Sequence, residues 1–479
     1  MTQTAAAIGT DRPLVVDLDG TLIASDLLIE GLFAVIGSKP RMVLGAIGSL
    51  LKSKAELKHF VAEFAAFEVG SLPYDPSVLD LIENAKAAGR PIYLATASHE
   101  KYAQAVAAHL GVFDGVLATT RDHNLSGVNK AAALLERFGD HGFDYIGNHA
   151  DDLAIWRHAN AAYAIRTTSS VRRRLGKIGI DVHHVESAQA SIKVWLRGLR
   201  VHQYSKNLLI FLPLMASHSL NAMQWLDAFL AFISFSLAAS ATYLLNDLID
   251  IDADRRHATK RYRPLASGTL SLQAAIVAIP LLFGVALAIA LAISPFYTAV
   301  LAGYVALTTS YSFYLKRRLL VDVVALALLY TIRVLAGGVA TGTVISPWLL
   351  GVSLFTFTAL ALIKRYTEVA TLLDRNLPDP SNRNYRKDDL VVLAALAAAT
   401  GVNAVMVFAL YLVSPAVTLM YAHPDMLWLL CPLLLYLLSR ALMLSHRREM
   451  PDDPVVWAMR DRICRLGIVV AGAIVLLAI

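Results

Sequence analysis

From residue 207 to the end, the chain is a succession of apolar runs, most of them about as long as the roughly 20 residues that cross a bilayer as a helix. They fall near 207–220, 225–246, 273–293, 296–315, 319–340, 347–363, 390–412, 425–445 and 464–479, which gives nine candidate membrane helices, the first of them short. Residues 1 to about 190 instead carry scattered charges and mixed polarity. The 56% hydrophobic content of the 479 residues and the mean hydropathy of +0.54 therefore describe a two-part protein, a soluble domain at 1–190 and a membrane domain at 191–479. The boundary is expected near Glu186 to Ser191.

Loop charge orients the membrane part. With a cytoplasmic N-terminus, loops 247–272, 316–318, 364–389 and 446–463 lie inside, and each carries Lys or Arg; loops 221–224, 294–295, 341–346 and 413–424 lie outside and carry none. This is the positive-inside pattern of a multi-pass protein of a bacterial-type plasma membrane with its first domain in the cytoplasm. The opening MTQTAAAIGTDRP has no basic segment leading into an apolar core, so it does not read as a signal peptide. The net charge of +6 gathers in the loops beside spans and reads as topology and phosphate binding, with no nucleic-acid partner expected. Cys431 and Cys464 lack both metal-ligand spacing and a disulfide framework, and no oligomeric state can be read.

At the end of the second run, Asn246, Asp250 and Asp254 recur at i, i+4 and i+8, one face of a helix. Such a row of oxygen ligands suits Mg²⁺, which takes one or two carboxylates together with substrate phosphate. Arg255, Arg256, Lys260, Arg261 and Arg263 follow at once and supply cations for phosphate oxygens. A solvated juxtamembrane loop explains those cations but not the ordered acids.

In the soluble part, Leu14–Val16 runs into DLDGT at Asp17–Thr21, Pro91–Ala95 into Thr96-Ala97-Ser98, and Phe143–Ile146 into GNHADD, with Asn129-Lys130 heading a helical stretch between the last two. Strands that alternate with helices and end in polar residues predict a doubly wound α/β domain with its site at that edge. These motifs resemble the haloacid-dehalogenase-like (HAD) phosphatases. The resemblance implies a Rossmannoid fold with Asp17 as nucleophile and Asp19 as acid/base. It also implies Thr96 and Lys130 on the phosphoryl oxygens, and Mg²⁺ held by Asp17, Asp19, Asn148 and Asp152. Asn148 stands where the family commonly has Asp, and either Asp151 or Asp152 compensates. A HAD fold kept for docking or regulation is the alternative. Residues 27–85 fit the family's helical cap, because LLIEGLFAVIG and MVLGAIGSLL are each too short to span; a cap that touches the membrane surface is the other reading of these runs.

The membrane domain resembles the UbiA superfamily of intramembrane transferases, Asn246, Asp250 and Asp254 matching its first acidic motif. Where that superfamily has a second acidic pair, this chain has Lys364, Arg365, Tyr366 and Glu368. With QYSKNLLIFLPL at 203–214, IRVLAGGVATG at 332–342 and RDR at 460–462, the resemblance runs to the decaprenyl-phosphate phosphoribosyltransferase branch. It implies transfer of 5-phosphoribosyl from phosphoribosyl pyrophosphate to a polyprenyl phosphate, after which the HAD domain removes the 5-phosphate. Asp250 and Asp254 are then catalytic through the metal. Lys260, Arg261 and Arg263 grip phosphate, while Lys206, Lys364 and Arg365, with Tyr366 and Glu368 beside them, serve donor or acceptor. Arg333 lies inside a span at a cost of roughly 2.5–3.5 kcal/mol if unpaired, so it meets either an acceptor phosphate or interior carbonyls. The competing enzyme reading is prenyl transfer from a prenyl diphosphate to an aromatic or other small acceptor. A non-catalytic anchor or transporter leaves the acidic row without purpose.

Overall fold

The computed structural model describes residues 12–65, 67–186, 191–374, 383–414, 417, 420–451 and 453–479. The expected domain boundary falls on 187–190, outside the described residues. By compactness the chain divides into Met1–Leu199 with Tyr243–Ala278, and Arg200–Thr242 with Ile279–Ile479. The acidic row and its basic loop thus group with the α/β domain.

In the first unit six parallel strands, β1 (Leu14–Val16), β2 (Ile92–His99), β3 (Gly115–Thr119), β4 (Asp144–Gly147), β5 (Ala161–Ile165) and β6 (Asp181–Val185), form one sheet in the order β3-β2-β1-β4-β5-β6. The central strands are buried on both faces, which is why they read as unbroken apolar runs: Leu14, Val16, Leu94 and Ile146 pack on one side, Val15, Tyr145 and Ala162 on the other. Strand order reverses at β1, and the crevice beyond the strand C-termini there is where open α/β sheets bind ligands. Four helices stand between β1 and β2: α1 (Leu27–Ser38), α2 (Val43–Lys52), α3 (Lys54–Phe64) and α4 (Pro76–Ala87). Asp26, Ser53 and Asp75 cap three of them through side-chain bonds to backbone N–H groups. Val35, Ala46, Leu57 and Val61 make the cap's own small core.

Among the described residues six helices are long and apolar enough to cross a membrane: Ala222–Ile249, Leu272–Ile293, Val321–Thr341, Pro347–Asp374, Lys387–Leu412 and Pro424–His446. The other three expected spans do not reach the same measure. Pro213 lacks an N–H and sits at the start of the short helix Leu212–Ala216, preceded by the 3₁₀ run Val201–Phe211. Pro295–Phe313 is helical but diluted by Thr, Ser and Tyr, and Arg462–Ala478 has only 17 residues. Gly337 permits the expected close approach, since a Cβ there would lie 1.9 Å from the Ile210 carbonyl oxygen.

Candidate functional site

The chain leaves β1 directly into Asp17. Gly20 adopts φ +72°, and a Cβ on it would fall 2.1 Å from the Asn148 side-chain nitrogen, so glycine is what lets the loops after β1 and β4 meet. Lys130, on the helix Val128–Phe138, donates to Asp17 Oδ1 at 2.7 Å and to the Tyr145 hydroxyl at 3.1 Å. Tyr145 donates to Asp152 Oδ1 at 2.9 Å. Asp152 Oδ2 accepts the backbone N–H groups of Asn148 (2.9 Å) and His149 (2.8 Å), shaping the loop after β4. Burial raises the Tyr145 pKa well above the usual phenol value and keeps it a neutral donor. Thr96 is fully buried at the end of β2, its hydroxyl oxygen accepting the Ser98 N–H at 2.9 Å.

Asp19 turns the other way. Its Oδ1 accepts the Leu27 N–H at 2.8 Å and its Oδ2 the Ser98 hydroxyl at 2.5 Å. Burial first, and the Asp26 carboxylate next, push its pKa up to about 7, where a group that both gives and takes a proton near neutral pH works best. Burial raises Asp17 as well, against the pull of Lys130. Asp151 is largely exposed and pairs with His149, so of the two acids offered as compensation for Asn148, Asp152 faces the site.

Several contributors are not announced by the motifs. Arg166 donates to the carbonyls of Gly20 (3.0 Å) and Thr21 (2.8 Å) and to Asp75 (2.5 Å), tying the loop after β1 to the last cap helix. From α3, Lys58 Nζ reaches Ala97 O and Asn124 Oδ1, both at 2.7 Å, and His59 meets His99 at 3.2 Å. The cap therefore closes over the catalytic strand ends. Nothing in the apolar periodicity of α3 marks Lys58 as inward-facing.

The acidic row sits where the span-length helix ends. Asp250 has φ −95° and ψ 11°, which separates Ala222–Ile249 from the short helix Ile251–Arg256. The helical register survives the break, because Asp250 N–H still bonds Asn246 O (2.9 Å) and Asp254 N–H bonds Asp250 O (2.8 Å). The three side chains accordingly stay one turn apart on one face. Asp254 is buried, and Arg263 bridges it (2.5 Å) to Asp247 (3.1 Å), a neighbour inside the motif that its spacing does not single out. Burial raises the Asp254 pKa, with Arg263 opposing. Lys260 is half-buried, whereas Arg261 is exposed and donates to the Tyr262 hydroxyl at 2.8 Å. Arg255, adjacent to Asp254, turns into the α/β domain: it makes two bonds to Glu30 of α1 (2.5 and 2.8 Å) and one to the Ala266 carbonyl (3.0 Å). Both partners of this ion pair are almost wholly buried. Glu30 was visible as the lone acid of the apolar LLIEGLFAVIG run, an expensive position unless paired.

Among the described residues no group of three or more His, Cys, Asp or Glu side chains is placed as a metal cage. The donors present are hard oxygens: Asp17 with Asn148, whose oxygens both lie about one hydrogen bond from the Thr21 hydroxyl (3.2 and 3.3 Å), and Asn246 with Asp250 and Asp254. This fits Mg²⁺, which completes its shell with water and phosphate, and does not fit a softer ion that needs His or Cys.

In the second unit, Arg365 is about 1% exposed and serves three acceptors: Asp322 at 2.6 Å, Glu368, and the Tyr311 hydroxyl at 3.0 Å. Tyr385 donates to the other Asp322 oxygen at 2.5 Å. Tyr366 meets His446 at 2.9 Å. Arg333 bonds Asn207 at 2.8 Å and the Leu329 carbonyl and lies over the rings of Phe235 and Tyr304, so of its two expected roles the structure presents the interior one. Lys206 pairs with Asp453 at 2.5 Å, and Lys364 lies within electrostatic reach of the same carboxylate, which the two lysines hold below its usual range against the effect of burial. Asp461 of the RDR stretch pairs with Arg440 at 2.8 Å and caps the last helix. Asp322, a single acid opening an apolar run, was detectable on the ground that such a charge in a span needs a partner.

A parallel α/β domain with buried aspartates at its strand ends, in one chain with span-length helices and an acidic row at a helix end, is the combination that two family models describe. The UbiA prenyltransferase family model matches residues 207–460, more than half of the chain, and the haloacid dehalogenase-like hydrolase model matches 14–157. The chain belongs to the UbiA family and carries an N-terminal HAD-like domain. It is 36% identical over 469 residues to the uncharacterised protein y4nM of Sinorhizobium fredii, covering 97% of this chain and 90% of that one. It is also 36% identical over 179 residues to decaprenyl-phosphate phosphoribosyltransferase of Mycobacterium tuberculosis; the match covers 36% of this chain and spans only 59% of that protein's length. Among solved structures, the UbiA homologue of Archaeoglobus fulgidus bound to GPP and Mg²⁺ aligns with 59% of this chain and 99% of its own, at 17% identity and a TM-score of 0.46.

Proposed function

We propose that the protein transfers 5-phosphoribosyl from phosphoribosyl pyrophosphate to a polyprenyl phosphate at the cytoplasmic face of a bacterial-type plasma membrane, and that its HAD domain then hydrolyses the 5-phosphate. The observation that carries this reading is the replacement of a second acidic pair by Lys364-Arg365-Tyr366, with Arg365 locked between Asp322 and Glu368. With Arg365 taken up by those two acids, Lys364 is the cation that the segment offers in place of a second acid, and it suits a further phosphate better than a second metal. The partial likeness to a phosphoribosyltransferase points the same way.

In the transfer, the C1–O bond to pyrophosphate breaks as an acceptor phosphate oxygen bonds to C1. Asn246, Asp250 and Asp254 would hold Mg²⁺, which when bound neutralises the departing diphosphate. Lys260, Arg261 and Arg263 line the same loop and stabilise charge that grows on the leaving group. Lys206 and Lys364, both beside the Asp453 carboxylate, are assigned to a phosphate. Arg365 and Arg333 keep their donors on protein acceptors and act as positioning residues, with Tyr366 and Glu368 completing that shell.

In the hydrolysis, the Asp17 carboxylate attacks phosphorus while Asp19 protonates the leaving 5′ oxygen. Asp19 then removes a proton from water, which attacks the aspartyl-phosphate, frees phosphate and restores Asp17. Lys130 and Thr96 hold the phosphoryl oxygens; Asp17, Asp19, Asn148 and Asp152 remain the assigned Mg²⁺ environment, Asp152 through its hold on the Asn148 loop.

The test is a mass spectrum of the lipid product formed by purified protein from labelled phosphoribosyl pyrophosphate and a polyprenyl phosphate. Wild type should yield ribosyl-phosphoryl lipid, and Asp17→Asn the same lipid heavier by one phosphate. Labelling only from a prenyl diphosphate, onto an aromatic acceptor, would establish the alternative that the family's name favours.

A further inference from the structure

We propose that the cap helix α2 lies in the headgroup layer of an anionic membrane, so that the HAD domain is held against the lipid surface by its own cap as well as by its link to the spans. The helix VLGAIGSLLK buries only Ala46 against the rest of the cap. Its other side presents Leu44 (79% exposed), Ile47 (49%) and Leu51 (83%), which fall at i, i+3 and i+7, a single stripe; Leu50 (52%), one turn from Ala46, is exposed as well. Ten residues make a helix about 15 Å long, too short to span and long enough to lie flat.

Two further observations choose lipid as the occupant. The first is charge. Between Glu30 and Glu56 the chain contains no acid, while Lys39, Arg41, Lys52 and Lys54 stand at the two ends of α2, all exposed. Cations that bracket an apolar stripe are the composition of helices that bind anionic lipid, each adding about fivefold in affinity at such a surface. The second is level. Gly37, at the end of α1, packs so closely on Ile249 that a Cβ would lie 2.6 Å from its Cγ2. Ile249 is the last residue of the span-length helix Ala222–Ile249, and the polar stretch DIDADRRHATKRYR follows it. Only five residues lie between Gly37 and Val43, at most about 20 Å of chain, so α2 begins near the level of the headgroups.

The surface contact does not depend on which lipid is the substrate, so it is tested without activity. The full chain, with Cys431→Ser and Cys464→Ala, carries a single introduced thiol at Leu51→Cys or at Glu83→Cys on α4, labelled with an environment-sensitive fluorophore. It is placed in nanodiscs of phosphatidylcholine and phosphatidylglycerol that contain lipid with a quencher near the headgroup. Emission from position 51 should be blue-shifted and quenched, and quenching should weaken when phosphatidylglycerol is omitted; position 83 should show neither effect. Water-like emission at 51 overturns the proposal. So does a blue shift without lipid quenching, which would mean that the chain's own helices or a second copy cover the stripe. If the thiol-free background does not fold, Leu44→Glu with Leu51→Glu in the native chain decides the matter, since neither side chain supports the core. That variant should keep its hydrolysis of a soluble phosphomonoester and lose several-fold on a phosphomonoester borne by lipid in vesicles; equal retention of both overturns the proposal.

Discussion

The two acidic centres of this chain are built on opposite plans. Around Asp17 the charged groups have internal partners: Lys130 pairs with Asp17, Tyr145 connects Lys130 to Asp152, and Asp152 fixes the loop that carries Asn148. Strand ends hold these groups, so they are set before substrate arrives. The row Asn246–Asp250–Asp254 stands at a helix break, and its last member is buried and bridged by an arginine from the following loop. The difference teaches where each chemistry draws its precision. Attack by a carboxylate on phosphorus needs an oriented nucleophile, whereas departure of a diphosphate needs charge that can gather around a large mobile anion.

Removing one member of each centre should separate them. Asp17→Asn should lower release of phosphate by roughly 10³-fold or more, as losses of a nucleophile do, with lipid labelling intact. Asp250→Ala should lower lipid labelling by about 10²-fold, the scale of one lost electrostatic stabiliser, and leave hydrolysis of a soluble phosphomonoester unchanged. Lipid labelling that survives Asp250→Ala would sink the assignment of that row.

The two plans also meet, at Glu30 and Arg255. This buried pair joins the cap to the residue after Asp254, so Glu30→Ala leaves a guanidinium without its partner and should destabilise the first unit by about 3 to 5 kcal/mol. Thermal unfolding of the purified chain measures it, and Glu30→Leu combined with Arg255→Met should recover most of the loss. If the single and double variants unfold alike, the pair does not fasten the cap to the acidic row.

What the sequence revealed and what it hid follow from the range of the interactions. β1, the strand at Pro91 and the strand before GNHADD were legible because central strands are continuous apolar runs, and the acidic row because a helical period is local. The grouping of that row with the α/β domain was not legible, since it rests on Glu30–Arg255 and Gly37–Ile249, contacts more than 200 residues apart in sequence. The same holds for Arg166 on the Gly20 loop and for Arg365 on Asp322. Three of the nine expected spans fall short of the same length and apolarity for a local reason: Pro213, the polar content of Pro295–Phe313 and the 17 residues of Arg462–Ala478 weaken runs that apolarity alone would admit.

The smallest effect bears on the cationic segment that stands in for a second acidic pair. Arg365 sends separate donors to Asp322, Glu368 and Tyr311, three directions that a planar guanidinium serves and a single ammonium cannot. Arg365→Lys keeps the charge and leaves at least one of these acceptors unmet, at about 1 to 3 kcal/mol. The expected result is a lower unfolding temperature with the KM for the phosphoribosyl donor unchanged, whereas Lys364→Gln should raise a KM for one phosphate substrate and leave unfolding unaltered. The opposite pattern would make Arg365 the phosphate ligand and Lys364 the support, because a residue that holds substrate moves KM while one that holds its neighbours moves stability.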